Sequence, residues 1–272
     1  MAKAGYLGDS GWERSKMDAY SAGKVPLGGS SLNVYAPEFV PRKRKDECPP
    51  TAVSCRKIRD GCCVPDMGLI VLAQQWTGNA FTIHGLWPGN CLTGGSPDGG
   101  CAGPRYPSLL PQVARDAALY QSMSTYWPSV DGKFWSNQWN KHGSCLSTVQ
   151  SQCHGNDDPP NDIFRYFRMT LDLYGQYNAT HEILQDSVPG EFYRVGHFEN
   201  SLAEWQGSVT LHCTGNELSE VRIYLLGKAN NQFLLHPAWK IGNCAGRIRL
   251  SPSDTPRRKP NPEFKHYLHD EL

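Results

Sequence analysis

The sequence predicts an α+β fold, with a central antiparallel β-sheet that is flanked by several α-helices and stapled by disulfides. Three observations predict this class: two pairs of short apolar runs joined by turn residues, helical stretches interspersed between those pairs, and ten cysteines. The 272 residues are enough for one large domain or two small ones. No apolar run approaches the ~18 residues of a membrane span, so we expect none.

The strand predictions rest on short apolar runs bounded by glycine and asparagine, a pattern typical of strands that pair through a turn. The predicted pairs are Leu69 to Trp76 with Phe81 to Ile83, and Glu220 to Leu226 with Gln232 to Leu235. Together they would supply the central antiparallel sheet.

The helix predictions rest on apolar spacing and on start signals. The predicted helices are Ser108 to Thr125, Phe134 to His142, Asp162 to Tyr174, and His197 to Trp205. Pro159-Pro160-Asn161 is the start signal of the third.

The chain divides into three segments by composition. Residues 1–45 are rich in glycine, serine and charge, end in Arg42-Lys43-Arg44-Lys45, and are expected to form a flexible extension. Residues 46–250 form the predicted folded domain. Residues 251–272 are a proline-rich spacer that carries the C-terminal tail.

Cysteines and tail together indicate the lumen of the endoplasmic reticulum or the secretory pathway. An even, crowded set of ten cysteines is typical of an oxidising compartment. The last four residues, His269, Asp270, Glu271 and Leu272, spell a retrieval signal, so a retrieval receptor is an expected partner. Residues 1–27 show no apolar signal-peptide core, and we expect that the signal was removed, replaced or lost. The sequon at Asn178 predicts glycosylation.

The charge distribution limits how a polyanion would be held. The formal net charge of the chain is only +1, and residues 61–246 contain 10 basic and 15 acidic side chains. Such a body does not attract nucleic acid by its overall field. Any nucleic-acid chemistry must therefore rely on a local cationic site or on the basic flanks.

Two segments, 81–88 and 134–145, combine histidine with small and aromatic residues. In the first, His84 follows an apolar run, and we expect its imidazole at a strand end where a ligand can approach. In the second, helical spacing places Asn137, Gln138, Lys141 and His142 on adjoining parts of one face. That face is predicted to be cationic and rich in hydrogen-bond donors.

The aromatic residues Trp135 and Trp139 of the second segment lie beside that face and are expected to pack inward. The two histidines fit a metal-free acid/base enzyme, because two imidazoles can act as general base and general acid around one reacting group. No zinc-protease helix, paired Cys-X-X-Cys, nucleophile elbow or phosphate loop is found in the sequence. We therefore expect no metal and no cofactor. Taken alone, each histidine is more typical of a hydrogen-bonded structural residue than of a catalyst.

At these segments a family resemblance becomes specific. His-Gly-Leu-Trp-Pro at 84–88 and Trp-Asn-Lys-His-Gly-Ser-Cys at 139–145 resemble the two active-site segments of the T2 family of ribonucleases. The cysteine spacing resembles the fungal branch, and the likeness covers 48–250. It implies the α+β fold, single-stranded RNA as substrate, and attack of the ribose 2′-hydroxyl on its own 3′-phosphate to leave a 2′,3′-cyclic phosphate. We expect a monomer.

The resemblance also implies roles for individual residues. His142 would take the proton of the 2′-hydroxyl, and His84 would protonate the leaving oxygen. Lys141 would stabilise the extra negative charge of the pentavalent phosphate. Trp87 would offer a face on which a base stacks, and Asn137 and Gln138 would bind substrate through their amides.

Ten cysteines can pair in about 945 ways, and spacing alone does not choose among them. The resemblance implies Cys48 with Cys63, Cys55 with Cys91, Cys62 with Cys153, Cys101 with Cys145, and Cys213 with Cys244.

Three positions depart from the family pattern. Asn137 and Gln138 stand where the family usually has His-Glu, and Gly89 stands where it commonly has Asp. We therefore expect a weakened or retuned enzyme. Because amides donate at any pH, we expect its pH optimum to lie above the acidic range usual in this family. The alternatives are a catalytically inactive binding protein that keeps the cleft and a structural interaction protein.

Overall fold

The computed structural model describes residues 48–56, 60–155 and 160–253. The predicted extension at 1–45, with its basic run, lies outside the described residues. So does the C-terminal tail from 254 onwards. The expectations for those segments stay predictions.

The central sheet is antiparallel, as predicted. Its strands run in the order β2-β1-β5-β4, and β6 pairs with the C-terminal part of β5. The strands β3 and β7 form a separate two-stranded sheet. The bounds are β1 Leu69–Trp76, β2 Phe81–Gly89, β3 Tyr193–Arg194, β4 Val209–Thr214, β5 Glu217–Lys228, β6 Gln232–Leu235 and β7 Arg247–Ile248.

Helices occupy the intervals between the strands. They are α1 Leu110–Val113, α2 Ala117–Tyr126, α3 Lys133–Lys141, α4 Pro160–Gln176, α5 Ala179–Leu184 and α6 Val195–Ser201. Short 3₁₀ turns follow α3 at Gly143–Cys145, Ser147–Val149 and Ser151–Cys153, and others lie at Ala203–Trp205 and Ala229–Asn231. The α+β class is thus confirmed.

Some predicted bounds are wrong for identifiable reasons. The predicted helix over 108–125 is two helices, because Asp116 adopts an extended conformation and caps a new helix by accepting a hydrogen bond from the backbone N–H of Leu119. The strand predicted to end at Ile83 continues to Gly89. Strand β4 and helix α5 were not predicted at all.

The two faces of the sheet differ in what they carry. Ile70, Leu72 and Ile223 point to the face that packs against the helices, within one large buried apolar cluster. Helix α4 also holds the edge strand β2 by its hydroxyls, since Tyr166 donates to the carbonyl of Leu86 at 2.9 Å and Tyr174 to that of Phe81 at 2.7 Å. The opposite face carries both aromatic and charged side chains, among them Trp87, Arg222 and Tyr224.

Five disulfides staple this fold, and they are the five pairs that the family resemblance implies. Cys101–Cys145 ties the turn after α3 to the loop before α1, and Cys55–Cys91 ties the loop after β2 to the N-terminal segment. A disulfide therefore anchors each histidine-containing segment close to its C-terminal end.

The sequon forms part of a helix start. The side chain of Asn178 caps α5 by accepting a hydrogen bond from the backbone N–H of His181, and the hydroxyl of Thr180 accepts one from the backbone N–H of Phe81 at 2.7 Å. Both side chains thus have structural roles, and glycosylation of Asn178 stays a prediction. No helix within the described residues is long and apolar enough to span a membrane.

Candidate active site

His84 lies at a β-bulge inside β2, which corrects the expectation that it follows the strand. In the ladder with β1, Gly85 pairs with Ala73 and Ile83 pairs with Gln74, so His84 is the extra residue without a partner in β1. An extra residue shifts the side-chain alternation by one. The bulge therefore brings His84 and Trp87 to the same face although they are three residues apart, and their ring centroids lie 5.0 Å apart.

The glycine after His84 leaves room for a buried hydrogen bond. Nε1 of Trp87 donates to Oε1 of Gln138 at 3.0 Å, directly over Gly85. A Cβ at position 85 would collide with both of these atoms. The His-Gly-Leu-Trp order is thus a packing requirement, because only glycine lets α3 approach β2 this closely.

Helix α3 presents the second segment to the sheet. Trp135 and Trp139 are buried, as predicted from their spacing. Asn137 is exposed, whereas Gln138 is only 3% exposed and its carbonyl oxygen is occupied by Trp87. The predicted donor-rich face is therefore not a continuous exposed surface.

The two histidines meet at one indole. His142 follows the last residue of α3, and its ring centroid lies 5.6 Å from that of Trp87, which the ring of His84 contacts edge-on. Phe134, from the start of α3, stacks on His84 at 5.8 Å. The exposed side chain of Lys141 precedes His142. The fold thus brings His84, Trp87, Lys141 and His142 into one site.

The environment of His142 keeps its imidazole neutral. Burial, the positive charge of Lys141 and the neighbouring His84 together lower the pKa of His142 from 6.5 to about 4. Its Nδ1 is buried and has no hydrogen-bond partner among the described residues. A neutral imidazole beside a cation is a suitable proton acceptor at working pH.

Glu220 and Arg222 complete the site, and the sequence interpretation missed both. Oε2 of Glu220 is hydrogen-bonded to Nδ1 of His84, and Oε1 accepts from Nε of Arg222 at 2.5 Å. The guanidinium of Arg222 lies over the Trp87 ring at 5.3 Å. Two charged residues at alternate positions of the otherwise apolar run 220–226 were the available signal.

Comparison with known proteins agrees with this geometry. The model of the Ribonuclease T2 family matches residues 51–244. The chain belongs to the ribonuclease T2 family. It is 36% identical to Ribonuclease Rh of Rhizopus niveus over 74% of this chain and 90% of that one. It is 29% identical to Ribonuclease T2 of Aspergillus oryzae over 76% and 81%.

The fold itself resembles solved T2 ribonucleases. The crystal structure of Actibind, described as a T2 ribonuclease, matches with a TM-score of 0.65 at 23% identity, covering 75% of this chain and 97% of that one. At this identity the likeness concerns the fold, and it agrees with the α+β class predicted from the sequence.

Gly89, where T2 ribonucleases commonly have Asp, is fixed by a close approach. A Cβ there would overlap the carbonyl group of Gly94 and lie 3.0 Å from its Cα. The turn that carries Gly94 is closed by hydrogen bonds from its backbone N–H to the carbonyl of Asn90 and from the N–H of Asn90 to the carbonyl of Gly95. The backbone of this turn therefore leaves no room for the Cβ of an Asp at position 89.

A small cavity opens beside Trp87 on the same face of the sheet. It is lined by Trp87, Pro88, Gly94, Arg222, Tyr224 and Trp239 among others. Lys240 also borders it, so two cations and several aromatic rings converge there. Among the described residues, no group of three His, Cys, Asp or Glu side chains is arranged to hold a metal ion.

Proposed function

We propose that this chain is an endoribonuclease that cleaves single-stranded RNA by acid/base transphosphorylation. Membership of the T2 family supports RNA endonuclease activity. The observation that carries the finer proposal is the convergence of two imidazoles on Trp87, with a lysine next to one of them.

His142 is the general base of the proposed reaction. Its lowered pKa, about 4, leaves the ring neutral through mildly acidic and neutral pH, so it can accept the proton of the ribose 2′-hydroxyl. The 2′-oxygen then attacks the adjacent phosphorus, forming the O2′–P bond.

His84 is the general acid. In its protonated form it transfers a proton to the 5′-oxygen as the P–O5′ bond breaks, which leaves a 2′,3′-cyclic phosphate and a free 5′-hydroxyl. Lys141 faces the charge that develops on the phosphate between these steps. Its exposed ammonium is free to move onto the phosphate oxygens.

The RNA is held locally, because the body of the domain is acidic. Trp87 offers the base a ring whose surroundings are cationic, since Arg222 lies over it and Lys240 borders the adjoining cavity. Asn137 is exposed on α3 and donates hydrogen bonds at any pH. We propose that the chain acts without metal or cofactor, because these side chains supply every proton and charge that the reaction needs. We also propose that it acts as a monomer.

The compartment is part of the same proposal. Five disulfides support an oxidising environment, and the C-terminal His-Asp-Glu-Leu supports capture by the retrieval receptor of the endoplasmic reticulum. Localisation of the tagged full-length chain with and without its last four residues tests this. Equal distribution of the two would refute retrieval.

Cleavage of a defined single-stranded RNA tests the reaction class. The wild-type chain, His142→Ala and the matched control His181→Ala are compared with and without EDTA, and the ends are analysed by mass spectrometry. His181 is exposed on α5 and takes no part in the site. We expect EDTA-resistant cleavage that leaves cyclic phosphate ends, persists in the control and is lost in His142→Ala. Full activity of His142→Ala would refute the assignment.

A second candidate is a catalytically inactive binding protein, which the neutral Asn137 and Gln138 favour. The double variant Asn137→His/Gln138→Glu separates the two proposals. If it cleaves RNA while the natural chain cleaves none at any pH, the binding function is the correct one.

A further inference from the structure

We infer that Glu220 is a positioning residue that fixes the orientation and tautomer of His84 for proton transfer. This inference rests on the proposed function of His84 as general acid. It is carried by a hydrogen bond between residues 136 positions apart in the chain, which only the sheet brings together.

The register of the sheet explains how the two side chains meet. Strand β1 lies between β2 and β5, so their backbones are about 10 Å apart. At the ladder position between them, Ala73 pairs with Gly85 on one side and with Arg222 on the other. Ala73 and Gly85 are small and leave the surface of β1 open, and His84, displaced by its bulge, reaches across it to Glu220.

Glu220 is itself held rigidly. The residue is only 8% exposed, and its second carboxylate oxygen accepts from Nε of Arg222. Burial raises the pKa of Glu220, but the hydrogen bond from His84 and the charge of Arg222 outweigh it, so the pKa is lowered overall. The group is therefore a carboxylate throughout the range in which RNA would be cleaved.

A carboxylate that is hydrogen-bonded to Nδ1 determines whether the other ring nitrogen, Nε2, is the one that exchanges a proton. Nδ1–H donates to Glu220 in both the neutral and the protonated ring, so Nε2 is the nitrogen that gains and loses the proton. Nε2 is then the atom available to the leaving oxygen. Without the carboxylate the ring is free to rotate and to adopt the Nε2–H tautomer when neutral.

Other charged and titratable groups lie around this pair. Arg222 lies beside Glu220 on β5, and His212 is opposite Glu220 on β4. Burial and the charge of Arg222 lower the pKa of His212. His142, which follows α3, interacts electrostatically with both His84 and Lys141. In Glu220→Gln the guanidinium of Arg222 loses its carboxylate partner.

Two-bond ¹H–¹⁵N correlation spectra of the histidine side chains test the inference without RNA. We expect neutral His84 of the wild-type chain to be the Nδ1–H tautomer, and that of Glu220→Gln to shift towards Nε2–H. An Nε2–H tautomer in the wild-type chain would overturn the inference, whether or not the variant folds. Because no substrate is present, this result is independent of whether the chain cleaves RNA.

Kinetics separate positioning from a purely structural role. Glu220→Gln should lower kcat by about 10² to 10⁴ with little change in KM. Glu217→Gln is the matched control, because Glu217 lies on the same strand and pairs with Arg249 away from the site. Retention of the wild-type kcat by folded Glu220→Gln would contradict the inference. Loss of activity without a change of tautomer would also contradict it.

Discussion

Replacement of Gly89 by Asp restores the residue common in T2 ribonucleases, and we expect it to destabilise this chain. The added Cβ overlaps the carbonyl group of Gly94, which is backbone and is held by the closed turn over 90–95. Gly94 cannot simply retreat, because its own Cα faces the indole of Trp239. The carboxylate would enter a buried position.

The expected loss in the free energy of unfolding of Gly89→Asp follows from these contacts. Overpacking of a closely packed site costs about 1–3 kcal/mol, and the removal of a carboxylate from water adds to that cost. A loss of about 3 kcal/mol lowers the Tm of a domain of this size by about 6–12 °C.

Differential scanning calorimetry of Gly89→Asp and Gly175→Asp measures the difference. Gly175 is exposed and has no atom within 4 Å of its would-be Cβ, so its variant controls for the added charge. A Gly89→Asp Tm within about 2 °C of that control would refute the close approach as the reason for glycine at position 89.

Three further predictions concern catalysis. Because His142 must be neutral to act as base, the acid limb of kcat/KM should lie near pH 4, with unit slope on a logarithmic plot; an acid limb near 6.5 would contradict the assignment. Asn137→His/Gln138→Glu should increase activity in acid relative to neutral pH, because the new imidazole binds phosphate only when protonated; an unchanged pH profile would refute this. Lys141→Ala should lower kcat by about 10² to 10³, whereas Lys133→Ala, at the other end of the same helix and paired with Asp131, should leave kcat unchanged. Equal effects of the two lysine variants would show that Lys141 acts only through general charge.

The sequence predicted the composition of the site better than its geometry. The two histidine-containing segments, the lysine and the inward tryptophans could be recognised because each signal is local. The strand at His84 was predicted to end at Ile83 because glycine and proline follow. The structure continues it through Pro88, since β2 is an edge strand, where a missing N–H donor is tolerated.

Long-range relations were beyond local reasoning. The contact of Glu220 with His84 depends on the register of three strands, and no spacing in the sequence encodes it. Gln138 was expected to be an exposed donor, but the closeness of α3 to Gly85 buries it. Gly89 was interpreted as a lost carboxylate, and its packing reason became visible only with the turn at Gly94 in place.

The bulge in β2 places the imidazole on a residue that takes no part in the pairing of the strand with β1. The ladder pairs on either side of His84 are consecutive in β1, so the strand would remain in register if that one residue were deleted. The imidazole is carried by an insertion that the backbone pairing does not need. Loss of a single codon would thus be a short evolutionary step from a nuclease to a stable, disulfide-bonded scaffold free to acquire another use.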